Sequence, residues 1–340
     1  MSNLTLEAIE HAWRKKNALF YCVLVPLSLV FGVTSALRRG AFKFGLLKSY
    51  ALPVPVIIVG NINVGGSGKT PVVIWLVEQL KKQGYKPAVI SRGYGGSVTR
   101  PTAVIATSNP IQVGDEPVLI ASRCQCPLWV GADRVHTGVE LLKAYPECDV
   151  IVSDDGLQHY RLKRDFEIAV IDNEGLHNTN LLPAGQLREP LSRLNTVNAV
   201  IKNAEPTYTA NNLTNLPNSY SMQLMGEQFY NLVNPILKAT APDFKRKSVK
   251  AMAGIGKPLR FFEHLRKLGL TFASSSFEDH HVYTQQEVVN IDCDVLVMTE
   301  KDAVKCKSFA QAHHWVLPVD AQIEANLMPL ILKKISSIKE

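Results

Sequence analysis

Short apolar runs alternate with longer segments of helical character from about residue 54 to residue 203. The apolar runs predict buried strands at Val54–Val59, Pro87–Ile90, Thr102–Ala106, Leu128–Val130, Val150–Ser153 and Ile168–Ile171. Pro71–Gln83 is predicted to be a helix, and the other runs are separated by helical or loop stretches such as Glu116–Ser122 and Arg134–Ala144. Strands that alternate with helices indicate an α/β fold, in which a mostly parallel sheet is covered by helices on both faces. In such a fold the ligand binds at the carboxyl ends of the strands.

A polar segment, Thr207–Ser221, is rich in Asn, Thr and Ser, and is typical of a linker or a domain edge. The segments after it predict a second, smaller α/β domain. They are Val249–Gly254, Pro258–Leu268, Leu270–Ala273, Gln285–Asn290, Val295–Met298 and Ile323–Ile335. The last of them is predicted to be a helix that is kinked at Pro329 or begins there.

Composition and charge narrow the class of protein. Of the 340 residues, 46% are hydrophobic and 20% are charged, which is typical of a globular chain with a substantial core. The formal net charge is +7, and basic residues are concentrated before residue 49. A basic N-terminus suits nucleic acid or anionic lipid, but without an aromatic stacking motif or a recognition helix we expect no nucleic-acid partner. The six cysteines follow neither a disulfide pattern nor a metal-ligand pattern.

A glycine-rich loop follows the first predicted strand and leads into the first predicted helix, with the sequence GNINVGGSGKTP from Gly60 to Pro71. In a phosphate-binding loop (P-loop), backbone N–H groups and the helix N-terminus converge on one anion. Lys69 is expected to reach the β- and γ-phosphates of a nucleoside triphosphate, and the Thr70 hydroxyl to hold Mg²⁺. The predicted nucleotide contacts are Asn63, Val64, Gly65, Gly66, Ser67, Gly68, Lys69 and Thr70. Asn63 replaces a consensus glycine, and asparagine tolerates a left-handed backbone better than most residues.

The N-terminal segment Ala18–Leu37 has 20 residues and no charge, about the length that crosses a bilayer as a helix. Basic residues flank both of its ends, so their distribution does not orient it. A signal peptide and a buried core helix are the alternatives. A nucleotide site soon after the segment favours the cytosolic side of a membrane. We therefore expect a monotopic anchor in the cytoplasmic leaflet, in which Pro26 and Gly32 interrupt the helix.

Three groups of polar residues are candidates for chemistry. Asp154 and Asp155 end an apolar run, as in a Walker B strand. Two adjacent carboxylates repel each other, so a bound cation would stabilise them. The alternative interpretation is a surface turn. Asp115 begins a predicted helix, where a carboxylate either stabilises the helix N-terminus or accepts a proton from a hydroxyl. The run Glu278–His281 lies in the predicted second domain, and paired histidines are more often structural than catalytic.

Eight motifs occur in a fixed order along nearly the whole chain. They are Asn61 with Gly65–Pro71, Ser91–Gly95, Val113–Pro117, Gly131–Arg134, Asp154–His159, Pro183–Pro190, Asp279–His281 and Thr299–Asp302. Together they resemble the tetraacyldisaccharide 4′-kinase family of lipid A biosynthesis. Asn63 resembles that family's own version of the loop.

The resemblance implies a monotopic enzyme of the bacterial inner membrane, with its catalytic domain on the cytoplasmic side. It would use ATP and Mg²⁺ to phosphorylate the 4′-hydroxyl of a tetraacylated glucosamine disaccharide 1-phosphate, giving lipid IVA, with no obligate protein partner. It further implies that Asp115 is the base, assisted by His280 or, less preferred, His281. Asp154 would bind the metal and Asp155 would belong to the catalytic centre. The candidates for substrate or phosphate contacts are Arg134, His159, Arg188 and Glu189.

The runner-up is a membrane-tethered P-loop ATPase switch that acts on protein partners. A GTPase would carry an Asn-Lys-x-Asp motif, which the chain lacks, and a switch would not require Asp115 and His280. The prediction therefore has three parts. They are a membrane-anchoring helix with basic flanks (1–48), a P-loop NTPase-like domain with a mostly parallel sheet (49–210), and a second α/β domain (211–340).

Overall fold

The computed structural model describes residues 18–172, 178–203, 216 and 218–337. In that part of the chain the α-helices are α1 (Ala18–Lys43), α2 (Lys69–Lys82), α3 (Pro110–Val113), α4 (Asp115–Cys124), α5 (Arg134–Ala144), α6 (Pro258–Lys267), α7 (Gln285–Val289), α8 (Glu300–Cys306) and α9 (Leu327–Ser336). The strands are β1 (Val56–Gly60), β2 (Pro87–Ser91), β3 (Thr102–Ala103), β4 (Leu128–Val130), β5 (Val150–Asp154), β6 (Phe166–Asp172), β7 (Ala199–Asn203), β8 (Ser219–Met225), β9 (Phe229–Asn231), β10 (Lys238–Ala239), β11 (Val249–Ala253), β12 (Ala273–Ser276), β13 (Val295–Thr299), β14 (His314–Leu317) and β15 (Asp320–Ile323).

The chain divides into two compact units, each made from separated stretches of sequence. The first unit comprises residues 1–69, 149–223 and 323–340, and the second comprises residues 70–148 and 224–322. These units do not follow the predicted boundaries after residues 48 and 210. The three-part domain division stays a prediction.

In the first unit five parallel strands pair in the order β8-β7-β6-β1-β5. The carboxyl ends of parallel strands lie on the same side of a sheet. Gly60 at the end of β1, Asp154 at the end of β5 and Asn203 at the end of β7 therefore lie on one side. All five residues of β1 and of β5 are buried, as is typical of a sheet covered on both faces. The predicted α/β class with mostly parallel strands is confirmed.

The second unit contains two groups of strands. β4 pairs in parallel with β2 and antiparallel with β3. A separate sheet has the order β10-β9-β14-β13-β11-β12, in which β14, β13, β11 and β12 are parallel. Its core contains Phe229, Phe244 and Phe262, all nearly or fully buried. Helix α8 follows β13 directly, and the Thr299 side chain caps it by accepting a hydrogen bond from the Asp302 N–H.

Helix α1 runs without interruption through Pro26 and Gly32, so the predicted break at these residues is wrong. A proline removes one backbone hydrogen bond of the helix. An apolar helix tolerates this loss because the adjacent turns keep their own hydrogen bonds. Gly32 instead permits close packing, since a Cβ there would lie 2.9 Å from Leu181 Cδ1. Among the described residues, α1 is the one helix long and apolar enough to cross a membrane, and only 6% of its apolar window is buried.

Several elements were not predicted from the sequence. Much of the predicted linker Thr207–Ser221 lies outside the described residues, but its last three residues belong to β8. β12 consists of Ala and Ser, which have no apolar pattern, and all four of its residues are exposed.

The last helix, in contrast, was predicted. α9 begins at Leu327, close to the predicted start at Pro329.

Candidate active site

The P-loop in the first unit has the backbone that a phosphate site requires. Gly65 and Gly68 have φ values of +99° and +89°, in the region where only glycine is unstrained. A Cβ at Gly65 or at Gly66 would meet no atom within 4 Å, so open space lies beside this part of the loop. Helix α2 begins at Lys69, directly after Gly68, with Thr70 as its second residue. The N-terminus of α2 and open space therefore lie together at this loop, which is the arrangement found in anion-binding sites.

The sequence did not single out Asn203, which holds this loop. Its Nδ2 donates a hydrogen bond of 3.1 Å to the Ser67 carbonyl, and a Cβ on Gly68 would lie 2.8 Å from the same nitrogen. The available signal was an amide residue at the end of a strand that lies two positions from the P-loop strand in a parallel sheet, with β6 between them. The prediction missed β7 and therefore missed Asn203.

The two loop asparagines are buried and have different roles. Asn61 Nδ2 donates to Ser67 Oγ over 3.3 Å and to the Gly65 carbonyl over 3.4 Å, which fixes the curve of the loop. Asn63 pairs through its backbone with Leu187 and is not among the described residues with positive φ. The left-handed conformation considered for Asn63 from the sequence is therefore not adopted.

A group of three charged residues, here named the loop cluster, consists of Lys69, Asp155 and Arg188. Lys69 Nζ lies 3.4 Å from Asp155 Oδ1, and Arg188 Nη1 lies 3.1 Å from Asp155 Oδ2. Burial raises the pKa of Asp155, but the two cations outweigh it and lower that pKa to about 2. Asp155 also has a φ of +45°, which is uncommon for a residue other than glycine. Asp154, which precedes it at the end of β5, is 2% exposed.

The four candidates for substrate contacts lie in different surroundings. Arg188 belongs to the loop cluster, and the His159 carbonyl accepts a hydrogen bond from Arg164. Glu189 is buried, with Oε1 accepting from the Tyr160 hydroxyl and Oε2 lying 3.2 Å from Arg193 Nε. Arg134, in the second unit, is also buried and donates to the Gly131 carbonyl over 3.2 Å. Burial favours structural roles for Glu189 and Arg134, and all four substrate contacts stay predictions.

In the second unit Asp115 and His280 form a direct contact across 165 residues of sequence. His280 Nδ1 lies 3.1 Å from Asp115 Oδ1 and 3.0 Å from Oδ2. Asp115 is the first residue of α4 and is 5% exposed, while His280 follows β12 in a loop. His280 has a φ of +61°, and the Tyr94 ring lies 5.2 Å from its imidazole, centroid to centroid. A carboxylate and an imidazole are thus held in direct contact within one unit.

The pair is surrounded by further charges, and we name the whole group the dyad cluster: Asp115, Glu116, Asp279, His280 and Lys301. Burial raises the pKa of Asp115, but the hydrogen bond from His280 and the charge of Lys301 outweigh it and hold that pKa below its usual value. Burial and the Lys301 charge lower the pKa of His280, but the hydrogen bond to Asp115 and the charges of Asp115 and Asp279 together outweigh them, so that pKa lies above its usual value. A carboxylate and an imidazole shifted in opposite directions form a pair that is charged over a wide range of pH.

The sequence left open which of the two histidines assists Asp115. His281 Nε2 lies 3.3 Å from Glu287 Oε1, at the start of α7, and its ring packs against Phe277 and Tyr283. It is His280 that contacts Asp115. The geometry therefore favours His280 as the assisting residue and gives His281 a structural position.

Comparisons with known proteins agree with one another. A model of the tetraacyldisaccharide-1-P 4′-kinase family matches residues 20–336. The tetraacyldisaccharide 4′-kinase of Methylobacillus flagellatus is 47% identical over 319 residues, covering 94% of this chain and 93% of the relative. That of Pasteurella multocida is 46% identical over 323 residues, covering 94% and 96%. The crystal structure of an "apo" form of LpxK from Aquifex aeolicus in complex with ATP is 28% identical, with a TM-score of 0.78, covering 92% of this chain and 98% of that one.

Proposed function

Because the chain belongs to the tetraacyldisaccharide-1-P 4′-kinase family, we propose which of its residues carry out the reaction of that family. The protein is an ATP-dependent kinase that transfers the γ-phosphate of ATP to the 4′-hydroxyl of tetraacyldisaccharide 1-phosphate, which gives lipid IVA in lipid A biosynthesis. ATP and Mg²⁺ are its cofactors. The alternative, an ATPase switch that acts on protein partners, is not favoured.

Residues 63–70 are proposed to hold the triphosphate, with Lys69 on the β- and γ-phosphates. The open space beside Gly65 and Gly66 fits a bound phosphate chain. Asp155 is proposed to belong to the catalytic centre by orienting the Lys69 ammonium, since the two side chains are already paired. The Arg188 guanidinium is a further candidate for a phosphate contact.

Thr70 and Asp154 are proposed to hold Mg²⁺. No group of three or more His, Cys, Asp or Glu side chains within the described ranges forms a metal site. A hydroxyl and one carboxylate nevertheless fit Mg²⁺, because this ion is usually bound by one or two protein ligands together with phosphates and water. When bound, the ion neutralises charge that develops on the transferred phosphoryl group.

Asp115 is proposed to be the general base, and its contact with His280 is the observation that carries this assignment. The 4′-hydroxyl oxygen attacks the γ-phosphorus, the bond from that phosphorus to ADP breaks, and the hydroxyl proton passes to Asp115. The imidazole, 3.0 Å from the carboxylate, orients it. A base in this position contributes roughly 10²- to 10⁴-fold to the rate.

A membrane-surface location on the cytoplasmic side of the inner membrane is proposed because a substrate with four acyl chains does not leave a bilayer readily. Each buried CH₂ group contributes about 0.8 kcal/mol to that retention. Helix α1 presents apolar side chains to solvent, with Leu29 67% and Leu37 68% exposed, and Leu46 beyond the helix is 80% exposed. Lys43 and Lys48 are also exposed and suit anionic headgroups.

The reaction is tested with γ-labelled ATP and a detergent-dispersed tetraacyldisaccharide 1-phosphate. We expect label in the lipid with the unmodified protein. Asp115→Asn should bind ATP normally and lose transfer by roughly 10²- to 10⁴-fold. Asp292→Asn is the matched control, because Asp292 is an exposed carboxylate of the same unit. Absence of label in the lipid would refute the activity, and full transfer by Asp115→Asn would refute the base.

The membrane location is tested by flotation with vesicles that contain anionic lipid. Replacing both Leu29 and Leu37 with Asn should reduce the bound fraction without changing nucleotide affinity. Undiminished binding by this double variant would contradict a role for the exposed face of α1.

A further inference from the structure

Helix α1 has one face that packs against the protein, although most of its surface is exposed. Ser28 is 7% exposed, and its hydroxyl donates a hydrogen bond of 2.7 Å to the Leu181 carbonyl. Gly32 lies four residues further along and therefore on the same face of the helix, where a Cβ would be 2.9 Å from Leu181 Cδ1. The neighbouring Leu27 and Leu29 are exposed. We name Ser28 and Gly32 the docking face of α1, and this face holds Leu181.

Leu181 belongs to a short segment, residues 180–188, that pairs with the P-loop. Inside the segment Leu181 and Leu187 pair through their backbones, and the Leu182 N–H donates a hydrogen bond of 2.9 Å to the Leu187 carbonyl. Leu187 also pairs in the antiparallel direction with Asn63 of the P-loop. Leu187 thus joins the part of the segment that contacts α1 to the loop.

Two backbone hydrogen bonds extend this pairing on both sides. The Val64 N–H donates a hydrogen bond of 2.9 Å to the Gln186 carbonyl, and the Arg188 N–H donates one of 2.7 Å to the Ile62 carbonyl. The second bond also fixes the backbone that carries the guanidinium of Arg188, a member of the loop cluster. The segment therefore positions both the P-loop and one of the cations beside it.

A second route leads from the C-terminal part of α1 to the same loop. Arg38 Nη1 donates a hydrogen bond of 3.2 Å to the Gln158 carbonyl, and Gln158 Nε2 donates one of 2.9 Å to the Asn61 carbonyl. Gln158 Oε1 also lies 3.5 Å from Arg188 Nη1, so this side chain contacts both the loop and the loop cluster. Both routes from α1 end on residues 61–64.

Anchoring in a bilayer requires an apolar surface but none of these polar contacts. A hydroxyl and a guanidinium of α1 donate to main-chain carbonyls that are 153 and 120 residues away in sequence. The two backbones that accept these bonds are the ones that hold the first half of the P-loop. Asn203, which donates to the Ser67 carbonyl, holds the other half. The contacts of α1 therefore supply one side of the support of the loop.

We propose that α1 positions the P-loop for ATP, with Ser28, Gly32 and Arg38 as positioning residues that do not themselves contact the nucleotide. The proposal rests on the proposed function, in which residues 63–70 hold the triphosphate. A loop that already has its binding conformation loses less conformational entropy when the ligand binds. Disturbing either route should therefore weaken ATP binding, whether or not a membrane is present.

The first test measures ATP affinity by calorimetry on the full chain in detergent, where membrane binding plays no part. Ser28→Ala and Arg38→Gln each remove one hydrogen bond and should weaken ATP binding by about fivefold. Thr34→Val is the matched control for Ser28, because the Thr34 hydroxyl donates to the Phe31 carbonyl of the same helix. Lys163→Met is the control for the lost charge, at an exposed lysine of the same unit. Unchanged affinity in both test variants, or equal losses in the controls, would overturn the proposal.

Gly32→Leu tests the close contact between the docking face and Leu181. The added side chain must displace Leu181, so ATP binding should weaken by about tenfold. Flotation with anionic vesicles should be unchanged, since the exposed apolar side chains of α1 are retained. Gly40→Leu is the matched control on the same helix, because a Cβ at Gly40 would have Phe44 as its nearest side chain, at 4.0 Å.

A second substitution tests whether the loss acts through Leu181. Adding Leu181→Ala to Gly32→Leu makes room for the new side chain and should restore most of the ATP affinity. A loss that Leu181→Ala does not reduce would overturn the proposal.

Amide hydrogen exchange reports on the loop without any nucleotide. The N–H groups of Val64 and Arg188 are the ones donated between the loop and the segment. They should exchange about tenfold faster in Gly32→Leu than in Gly40→Leu or the unmodified protein. Unchanged exchange, or a lower Tm with unchanged ATP affinity, would show that α1 contributes to stability alone and would overturn the proposal. If Lys69→Met keeps its ATP affinity, the proposed triphosphate site fails, and the exchange rates still decide whether α1 holds the loop.

Discussion

The loop cluster of the first unit and the dyad cluster of the second unit balance their charges in opposite ways. In the loop cluster two cations, Lys69 and Arg188, share the single carboxylate of Asp155. In the dyad cluster three carboxylates surround Lys301 and an imidazole. An excess of cations attracts a phosphate chain, whereas an imidazole among carboxylates exchanges protons near neutral pH. The difference supports the proposal that one cluster binds the anion and the other transfers the proton.

The two clusters share one backbone feature. Asp155 and His280 have φ values of +45° and +61°, which are unfavourable for residues with a Cβ. Such conformations cost about 1–3 kcal/mol each and persist where the surroundings hold them. In both clusters the residue with the unfavourable backbone makes the central contact, with Lys69 in one and with Asp115 in the other.

The largest expected effect is that of Lys69→Met, which removes a cation from the loop cluster. We expect kcat to fall by about 10³-fold, because a preorganised positive group on the transferred phosphate is lost. The affinity for ATP, measured by calorimetry, should fall with it. Lys163→Met, an exposed lysine of the same unit, is the control. If Lys69→Met kept its affinity for ATP, the loop cluster would not be the anion site.

His280→Gln tests the other cluster and should have the next largest effect. We expect kcat to fall by roughly 10²-fold with unchanged ATP affinity, because the carboxylate of Asp115 loses its partner. His281→Gln is the matched control and should stay within about twofold of the unmodified enzyme, since His281 contacts Glu287 instead. Equal losses in the two variants would remove the distinction between the histidines.

The loop cluster was largely predictable from sequence, because its chemistry lies in contiguous motifs. A strand, a glycine-rich loop and a helix start are local features, and they located Lys69 and Asp155 in advance. Arg188 was identified by resemblance alone, and Asn203 was missed because strand β7 was not predicted. A residue that holds a loop from another strand of the same sheet depends on strand order, which a single sequence does not give.

The dyad cluster was far less predictable by physical argument. Asp115 at a helix N-terminus has a sufficient structural explanation, and only the fold brings His280 to it across 165 residues. Lys301 had no individual signal, because its position on α8 acquires meaning only beside His280. The fold class could be predicted from the sequence. The pattern of apolar and polar positions determines which faces of the strands and helices are buried, and these faces pack the sheet and the helices into layers.

A smaller effect is expected from Gly68→Ala, which tests how the loop cluster is positioned. Gly68 has a φ of +89°, and its Cβ would lie 2.8 Å from Asn203 Nδ2. We expect a loss of stability of about 1–2 kcal/mol and a reduced affinity for ATP, because the loop must shift. Gly66→Ala is the matched control, since a Cβ at Gly66 meets no atom within 4 Å, and its stability should change by less than about 0.5 kcal/mol. Equal effects would show that the contact with Asn203 does not fix the loop.

The smallest effect concerns the ion pairs of Asp155 and their dependence on pH. The pKa of Asp155 is lowered from 3.8 to about 2, so its ionised form stabilises the folded state fully above pH 3.8. That contribution is lost as the pH falls through about 2. Asp155→Asn should lower the free energy of unfolding at pH 7 by about 1 kcal/mol, since the side chain is about a third exposed, with a Tm lower by about 2 °C.

Calorimetry between pH 7 and pH 3 checks this prediction. The difference in Tm between Asp155→Asn and the unmodified protein should stay constant down to about pH 4 and shrink below it. Asp292→Asn, at an exposed position, should show no such dependence. A difference that is the same at every pH would mean that Asp155 acts through packing and neutral hydrogen bonds.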